Sequence, residues 1–362
     1  MDGFKLAETI RYIDDTKLKL GKPDPQFLIR YENQLALNSI KISKEITPDL
    51  QNSIDQVCKN LNLESNLINA YITSSSEIQA GCISDSKDKC IITLTSAVIN
   101  LLSNNEINFI IGHELGHFLL HHNIEEIISE DSSETFIKKR AQEISVDRIG
   151  LLACKNLDVS IRAIVKSLSG LNGKYLTFDM RSFLDQLDNI NPSYQDLGQF
   201  SSHPSFILRV KALLRFSLSD LYLNHIQEAG GSSINDIDKL IQRDLDKYVD
   251  MQIRDDINKS KENVLFWGYT YAYIKKGSLT KKNQLSISNK FGEQKKDKLI
   301  KMIENRSSKD VINDVYDKLL SAVNNFRKIA PNKAKKEINM IFIKIEDETS
   351  HKGFFDEINR DI

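Results

Sequence analysis

The sequence lacks a basic start followed by an apolar core of signal-peptide length. No uncharged apolar run approaches the ~18–20 residues needed to cross a bilayer. A soluble, cytoplasmic chain without an integral membrane segment is therefore expected. Charge of one sign is also lacking: 49 Lys and Arg oppose 50 Asp and Glu, for a net charge of -1. A general nucleic-acid binder needs a basic surface to neutralise phosphates, so no nucleic-acid partner is expected. The lysines at 275–276, 281–282 and 295–298 read as solvated helix faces. Cysteine is scarce, with Cys58, Cys82, Cys90 and Cys154 at spacings that fit no zinc knuckle or CxxC pattern. These four read as reduced, buried, small apolar residues, and a Cys82–Cys90 disulfide is expected only in an oxidising compartment.

What the sequence does have is a core: hydrophobic residues make up 40% of its 362 positions and charged residues 27%. Residues 25–63 carry apolar positions at helical spacing, among them Leu35, Ile40, Leu50, Ile54, Val57 and Leu61. Short β-branched runs at 69–73 and 90–95, with a third candidate at 77–83, predict a small sheet. Ser103-Asn104-Asn105-Glu106 has the form of a capping box and opens a predicted helix to about 122. A second long helix is predicted over 133–154, further helices up to 188, and irregular chain around 191–204. Pro204 permits one more helix to about 221. Ala229-Gly230-Gly231-Ser232-Ser233 is the best linker candidate. Beyond it the chain reads as amphipathic, lysine-rich helices without a repeat. The expected class is α+β, mainly helical. The expected division is a first domain over 1–228 that includes the N-terminal helices, a linker over 229–236 and a helical region over 237–362.

Chemistry concentrates at Gly112-His113-Glu114-Leu115-Gly116-His117, an HExxH motif. Residues four apart share a helix face, so both imidazoles can reach one ion at ~2.0–2.1 Å. Glu114, beside that face, is placed to take a proton from water polarised by the metal. Gly112 and Gly116 permit close packing of the helix. A catalytic zinc needs a third protein ligand, and the next helix offers Glu143 and, four residues on, Asp147. Glu143 is the predicted ligand, and Asp147 the acceptor that holds a ligating imidazole by its other N–H. The alternative is an ordinary acidic helix face. His121 continues the 113/117 stripe but lies a further turn along the helix, about 6 Å from His117. One Zn2+ is the expected cofactor, although spacing leaves another transition ion open.

HELGH, then Glu143-x-x-x-Asp147, then Ser202-His203-Pro204-x-x-x-x-Arg209 together resemble the metallopeptidases related to the CAAX prenyl protease and the HtpX heat-shock protease (metallopeptidase family forty-eight). The resemblance covers about 49–214. It implies a gluzincin fold with a small mixed sheet and hydrolysis of peptide bonds, with protein or peptide as substrate. It assigns His113, His117 and Glu143 to zinc, Glu114 to the base, and Asp147 to support of the site. It places His203 near the substrate as an oxyanion stabiliser, with Arg209 anchoring its loop through Asp147 or nearby carbonyls. It also implies that substrate adds as a strand along an exposed sheet edge, for which Ile78, Gln79, Ala80, Gly81 and Cys82 are the candidates. Many such relatives are membrane-embedded or exported, which this sequence does not reproduce. Past residue 230 nothing matches the pattern. That helical region is a candidate surface for a protein partner, or a domain that packs over the cleft.

Overall fold

The β-branched runs at 68–73 and 90–95 pair directly, as their side chains suit a pleated and half-buried surface. The computed structural model describes residues 2–22, 24–85, 88–189, 204–277, 279–350, 353, 355, 356 and 358. Its strands are β1 (Ile40–Lys41), β2 (Ile68–Thr73), β3 (Ala80–Ser84) and β4 (Cys90–Thr95), in the spatial order β1-β2-β4-β3. β2 and β4 run parallel, whereas β1–β2 and β3–β4 are antiparallel, so the sheet is mixed. β4 is central, and Cys90, Ile91, Ile92 and Leu94 along it are fully buried. Asp85 closes the β3–β4 turn, its Oδ1 accepting from the backbone N–H groups of Asp88 and Lys89 at 3.0 and 2.8 Å.

Two compact units divide the described residues. The first comprises 1–127 and 136–250, and holds the sheet with most of the shorter helices. Along the chain these are α1 (Gly3–Ile10), α2 (Pro25–Asn38), α3 (Pro48–Leu61), α4 (Ser96–Leu101), α5 (Asn104–Leu119), α6 (Ser133–Cys154, of which 136–154 fall in this unit), α7 (Leu157–Ser169), α8 (Met180–Leu184), α9 (Phe206–Phe216), α10 (Asp220–His225) and α11 (Ile234–Leu245). The fold is thus mainly helical with a small four-stranded sheet. The glycine-rich stretch expected as a linker lies within this unit. There Ser232 N–H donates to Leu218 O and Asp220 N–H to Ser232 O, both at 2.9 Å. The contact division falls instead at 250–251.

The second unit comprises 128–135 and 251–362. It contains α12 (Met251–Lys275), α13 (Lys281–Phe291), α14 (Glu293–Ile303), α15 (Ser308–Ile329) and α16 (Pro331–Thr349). Val311, Val315, Leu319, Val323 and Phe326 form the buried face of α15, at the helical spacing the sequence shows. Among the described residues, no helix is long and apolar enough to cross a membrane.

Three expectations shift. The helical spacing over 25–63 is broken by β1, which interrupts α2 and α3 at Ile40. The helix after Pro204 is two helices, because the chain turns between Ser217 and Ser219 before α10. α5 stops at Leu119, three residues early, and His121 adopts a left-handed conformation at φ 61°.

α5 is buried on nearly every side, including Ile107, Phe109, Ile111, Leu115 and Phe118, so it runs through the core rather than over the surface. Its approach to α6 depends on two glycines. A Cβ at Gly112 would meet the Ala153 Cβ at 2.3 Å, and one at Gly116 would meet the Val146 Cβ at 2.9 Å. Since α6 carries Glu143 and Asp147, this close approach sets how near those carboxylates come to the histidines. Gly112→Ala is therefore expected to destabilise the fold by ~1–3 kcal/mol through overpacking. It should also weaken metal binding. Chemical denaturation of the metal-free variant beside the wild type measures the first effect, and unchanged stability would refute the packing account.

Candidate metal centre

His113 and His117 project from one face of α5 toward Glu143 on α6. His113 Nε2 lies 3.6 Å from Glu143 Oε2, and His117 Nε2 lies 3.6 Å from Oε1. Those separations are too long for hydrogen bonds. They are close to the ~3.3–3.4 Å between two donors that each sit 2.0–2.1 Å from a tetrahedral ion. The donor atoms of all three residues fall within 4.8 Å of one another, so this group can hold a metal. Two imidazole nitrogens with one carboxylate oxygen form a donor set that fits zinc.

The outer contacts orient the donors. His113 Nδ1 lies 3.0 Å from Asp147 Oδ1. With the proton on Nδ1, the ring donates to the carboxylate and leaves the Nε2 lone pair directed at the metal position. Arg209 of α9 donates to Asp147 through Nε at 2.8 Å and Nη2 at 2.6 Å, a two-pronged pairing. Its Nη1 lies 3.5 Å from Glu143 Oε2. All these side chains are buried or nearly so.

Burial disfavours ionisation of Asp147, but the charge and hydrogen bonds of Arg209 outweigh it and hold the carboxyl down at about 2. Glu114 differs. Burial is its strongest influence and, with the Glu143 charge, pushes it up to about 7 against the pull of His113 and Arg209. Burial, together with the neighbouring His122 and His113, drives His117 well below the usual imidazole value, which keeps it neutral as a ligand requires. One face of the chain thus holds a structural carboxylate that stays charged beside a carboxylate that can carry a proton.

Glu114 and His113 open onto a cavity of about 120 Å³ whose other walls include Ile78, Ala80, Phe109 and Phe206. β3 is an edge strand of the sheet, so Ala80, Gly81 and Cys82 lie on the edge expected for substrate, with Ile78 and Gln79 just before it. Thr95 N–H donates to Gln79 O at 3.1 Å. By alternation, the backbone groups of Ala80 and Cys82 then face outward. The Cys82 carbonyl is already taken by the Asn123 amide at 3.0 Å. Cys82 and Cys90 are free thiols with sulfurs 3.2 Å apart.

His203 lies outside the described residues. His121 does not join the donors, for beyond the end of α5 its ring stacks on Phe4 with centroids 5.5 Å apart. Two buried side chains at the site escaped the sequence reading, His122 and Asp15. His117 Nδ1 lies 3.1 Å from His122 Nδ1, and His122 Nε2 lies 2.9 Å from Asp15 Oδ2. A histidine five positions after His117 was the one available signal for His122. Asp15, 107 positions away, offered none.

No solved structure matches this chain. The plastoglobule-localized metallopeptidase 48, chloroplastic, of Arabidopsis thaliana is 23% identical over 223 residues, which are 54% of this chain and 64% of that protein. The chain therefore spans less than two thirds of that relative's length. Glu143, Asp147 and Arg209 lie beyond the family match, on the helices that complete the site, but β2, β3, β4 and α5 lie within it: residues 45–138, with both imidazoles and Glu114, match the sequence model of Peptidase family M48, a family of metallopeptidases.

Proposed function

We propose that this chain is a zinc-dependent endopeptidase, similar to the CAAX prenyl protease and HtpX group in its three ordered motifs, and that Glu114 is its general base. The observation that carries the reading is the largely buried His113–His117–Glu143 donor group, with Glu114 beside it, facing a cavity bordered by a sheet edge. When bound, zinc supplies Lewis acidity toward water and a carbonyl oxygen. Glu114 accepts the proton of the attacking water and returns it to the leaving amine, a role suited to a carboxyl near neutral pKa. His113 is held by Asp147, and Asp147 by Arg209, so the ligand geometry is set before substrate arrives. His203 remains the proposed oxyanion group.

Substrate, a protein or peptide in extended form, adds along β3 through the outward backbone groups of Ala80, with Ile78 and Ala80 lining the neighbouring cavity. Asn123 already occupies the Cys82 carbonyl, so pairing proceeds from the Ala80 end. The second unit is the candidate partner surface. The cytoplasmic placement is part of this proposal. Recovery of the chain in a membrane or organelle fraction would overturn it.

Hydrolysis of an unfolded protein and a peptide library tests the proposal directly. Zinc-loaded protein is expected to cleave internal bonds, a chelator to stop cleavage, and one equivalent of zinc to restore it. Binding of peptide without turnover by the one-to-one zinc form would refute the enzymatic reading and favour a peptide-binding module.

A further inference from the structure

We propose that His122 and Asp15 are positioning residues for the metal ligand His117, and that the amino-terminal segment is thereby part of the site. The inference rests on the reading of His113, His117 and Glu143 as ligands. His113 is oriented by Asp147, but among the described residues no carboxylate meets His117 at its Nδ1. It faces a second imidazole there, His122, at 3.1 Å. His122 in turn meets Asp15 through Nε2 at 2.9 Å. Both outer side chains are almost wholly buried, with 2% of the His122 side chain and none of Asp15 exposed.

Hydrogen-bond roles along this chain of groups are fixed from the metal end. A ligating Nε2 must present a lone pair, so the ring proton of His117 sits on Nδ1 and donates to His122 Nδ1. His122 then carries its own proton on Nε2 and donates to the Asp15 carboxylate. The opposite arrangement requires a proton on both ring nitrogens of His122. Lys138 Nζ pairs with Asp15 at 3.2 Å and Glu125 at 2.7 Å, and Arg11 Nη1 reaches Asp15 at 3.4 Å. Arg11 also pairs with Glu8 at 3.2 Å.

Position and anchorage agree with this role. The chain leaves α1 and is tied to α6, with Tyr12 N–H donating to Ser145 Oγ at 3.0 Å and Arg148 Nη1 to Ile10 O at 2.9 Å. Arg11 Nη2 also donates to Leu120 O at 2.8 Å, just past the end of α5. Lys138 adds a bond to Thr16 O at 2.7 Å. Asp15 is therefore held from both of the helices that carry metal ligands. The early stop of α5 serves the same arrangement: after the left-handed residue at His121, the chain reverses and brings His122 back against His117.

Zinc affinity, measured by competition with a chromophoric chelator, is the primary test. His122→Leu is expected to weaken zinc binding by ~10–100-fold, the usual cost of losing an outer partner of a ligating histidine. His122→Asn keeps an acceptor near the Nδ1 position and should recover most of that loss, whereas a merely structural role would predict no such rescue. Asp15→Asn should fall between, and because Lys138 keeps Glu125 as a partner this variant is expected to fold. In metal-free wild type, nitrogen-15 NMR of the histidine rings should show the proton of His117 on Nδ1 and that of His122 on Nε2. An Nε2 proton on His117, or equal affinities for wild type, His122→Leu and His122→Asn, would overturn the inference. Wild type that binds no zinc at all would overturn the metal-centre reading beneath it, a result distinct from equal and tight binding.

Discussion

Glu114→Gln is expected to retain one zinc per chain and to lose turnover, with kcat lower by ~10²–10⁴-fold. Glutamine keeps the shape of the side chain but cannot accept the proton of the attacking water. The substitution removes no donor, because the group that can hold metal consists of His113, His117 and Glu143. Packing also tolerates it: Glu114 is 8% exposed, and a neutral amide in that buried place carries a smaller desolvation cost than a carboxylate. Stability should therefore be unchanged or slightly raised. Zinc content by atomic absorption, thermal unfolding and peptide hydrolysis must be measured on one preparation. A loss confined to kcat, with KM held, indicates an interaction made only in the transition state. Undiminished cleavage by zinc-matched Glu114→Gln protein would remove Glu114 from the mechanism.

The parts of this site legible in the sequence are those that repeat at a structural period. His113 and His117 share a face because they are four apart, and so do Glu143 and Asp147, hence both pairs could be assigned to helices and to each other. Gly112 and Gly116 were legible for the same reason, as a small-residue stripe where α5 meets α6. The strands at 68–73 and 90–95 announced themselves by β-branching, whereas β1, two residues long, had too little pattern to stand against the helical spacing around it. Asp15 and His122 were hidden for another reason. Each sits among other polar residues in a short segment, and their contact joins positions 107 apart. Nothing local distinguishes a buried aspartate that closes a hydrogen-bond chain from one on the surface. His121 continues the stripe but lies a further turn from His117, which disfavours it as a ligand, and the end of α5 turns it onto Phe4.

Arg209→Met is expected to cost ~3–5 kcal/mol of stability, because it leaves the buried Asp147 carboxylate without its cation. Asp147 has 2% of its side chain exposed and Arg209 10%, so water cannot replace the lost bonds as it would at the surface. The remaining partner, His113, would be pulled toward the carboxylate as an imidazolium, and its Nε2 would then hold a proton where metal binding needs a lone pair. Instability and weak zinc binding thus have one origin in this variant, and a second substitution separates them. In Arg209→Met with Asp147→Leu, two apolar side chains replace the pair, which at buried sites is often neutral for stability. Metal-free stability should return most of the way, while zinc affinity should stay ~10–100-fold down because His113 has lost its orienting acceptor. Denaturant titrations of the metal-free proteins report the first quantity and chelator competition the second, and they must be kept apart because bound zinc itself stabilises the folded state. If the double variant regained both, Asp147 would be a packing residue with no part in holding the ligand. If Arg209→Met alone were as stable as wild type, the carboxylate would have found another partner, and the buried pair would not be what fixes α9 against the metal helices.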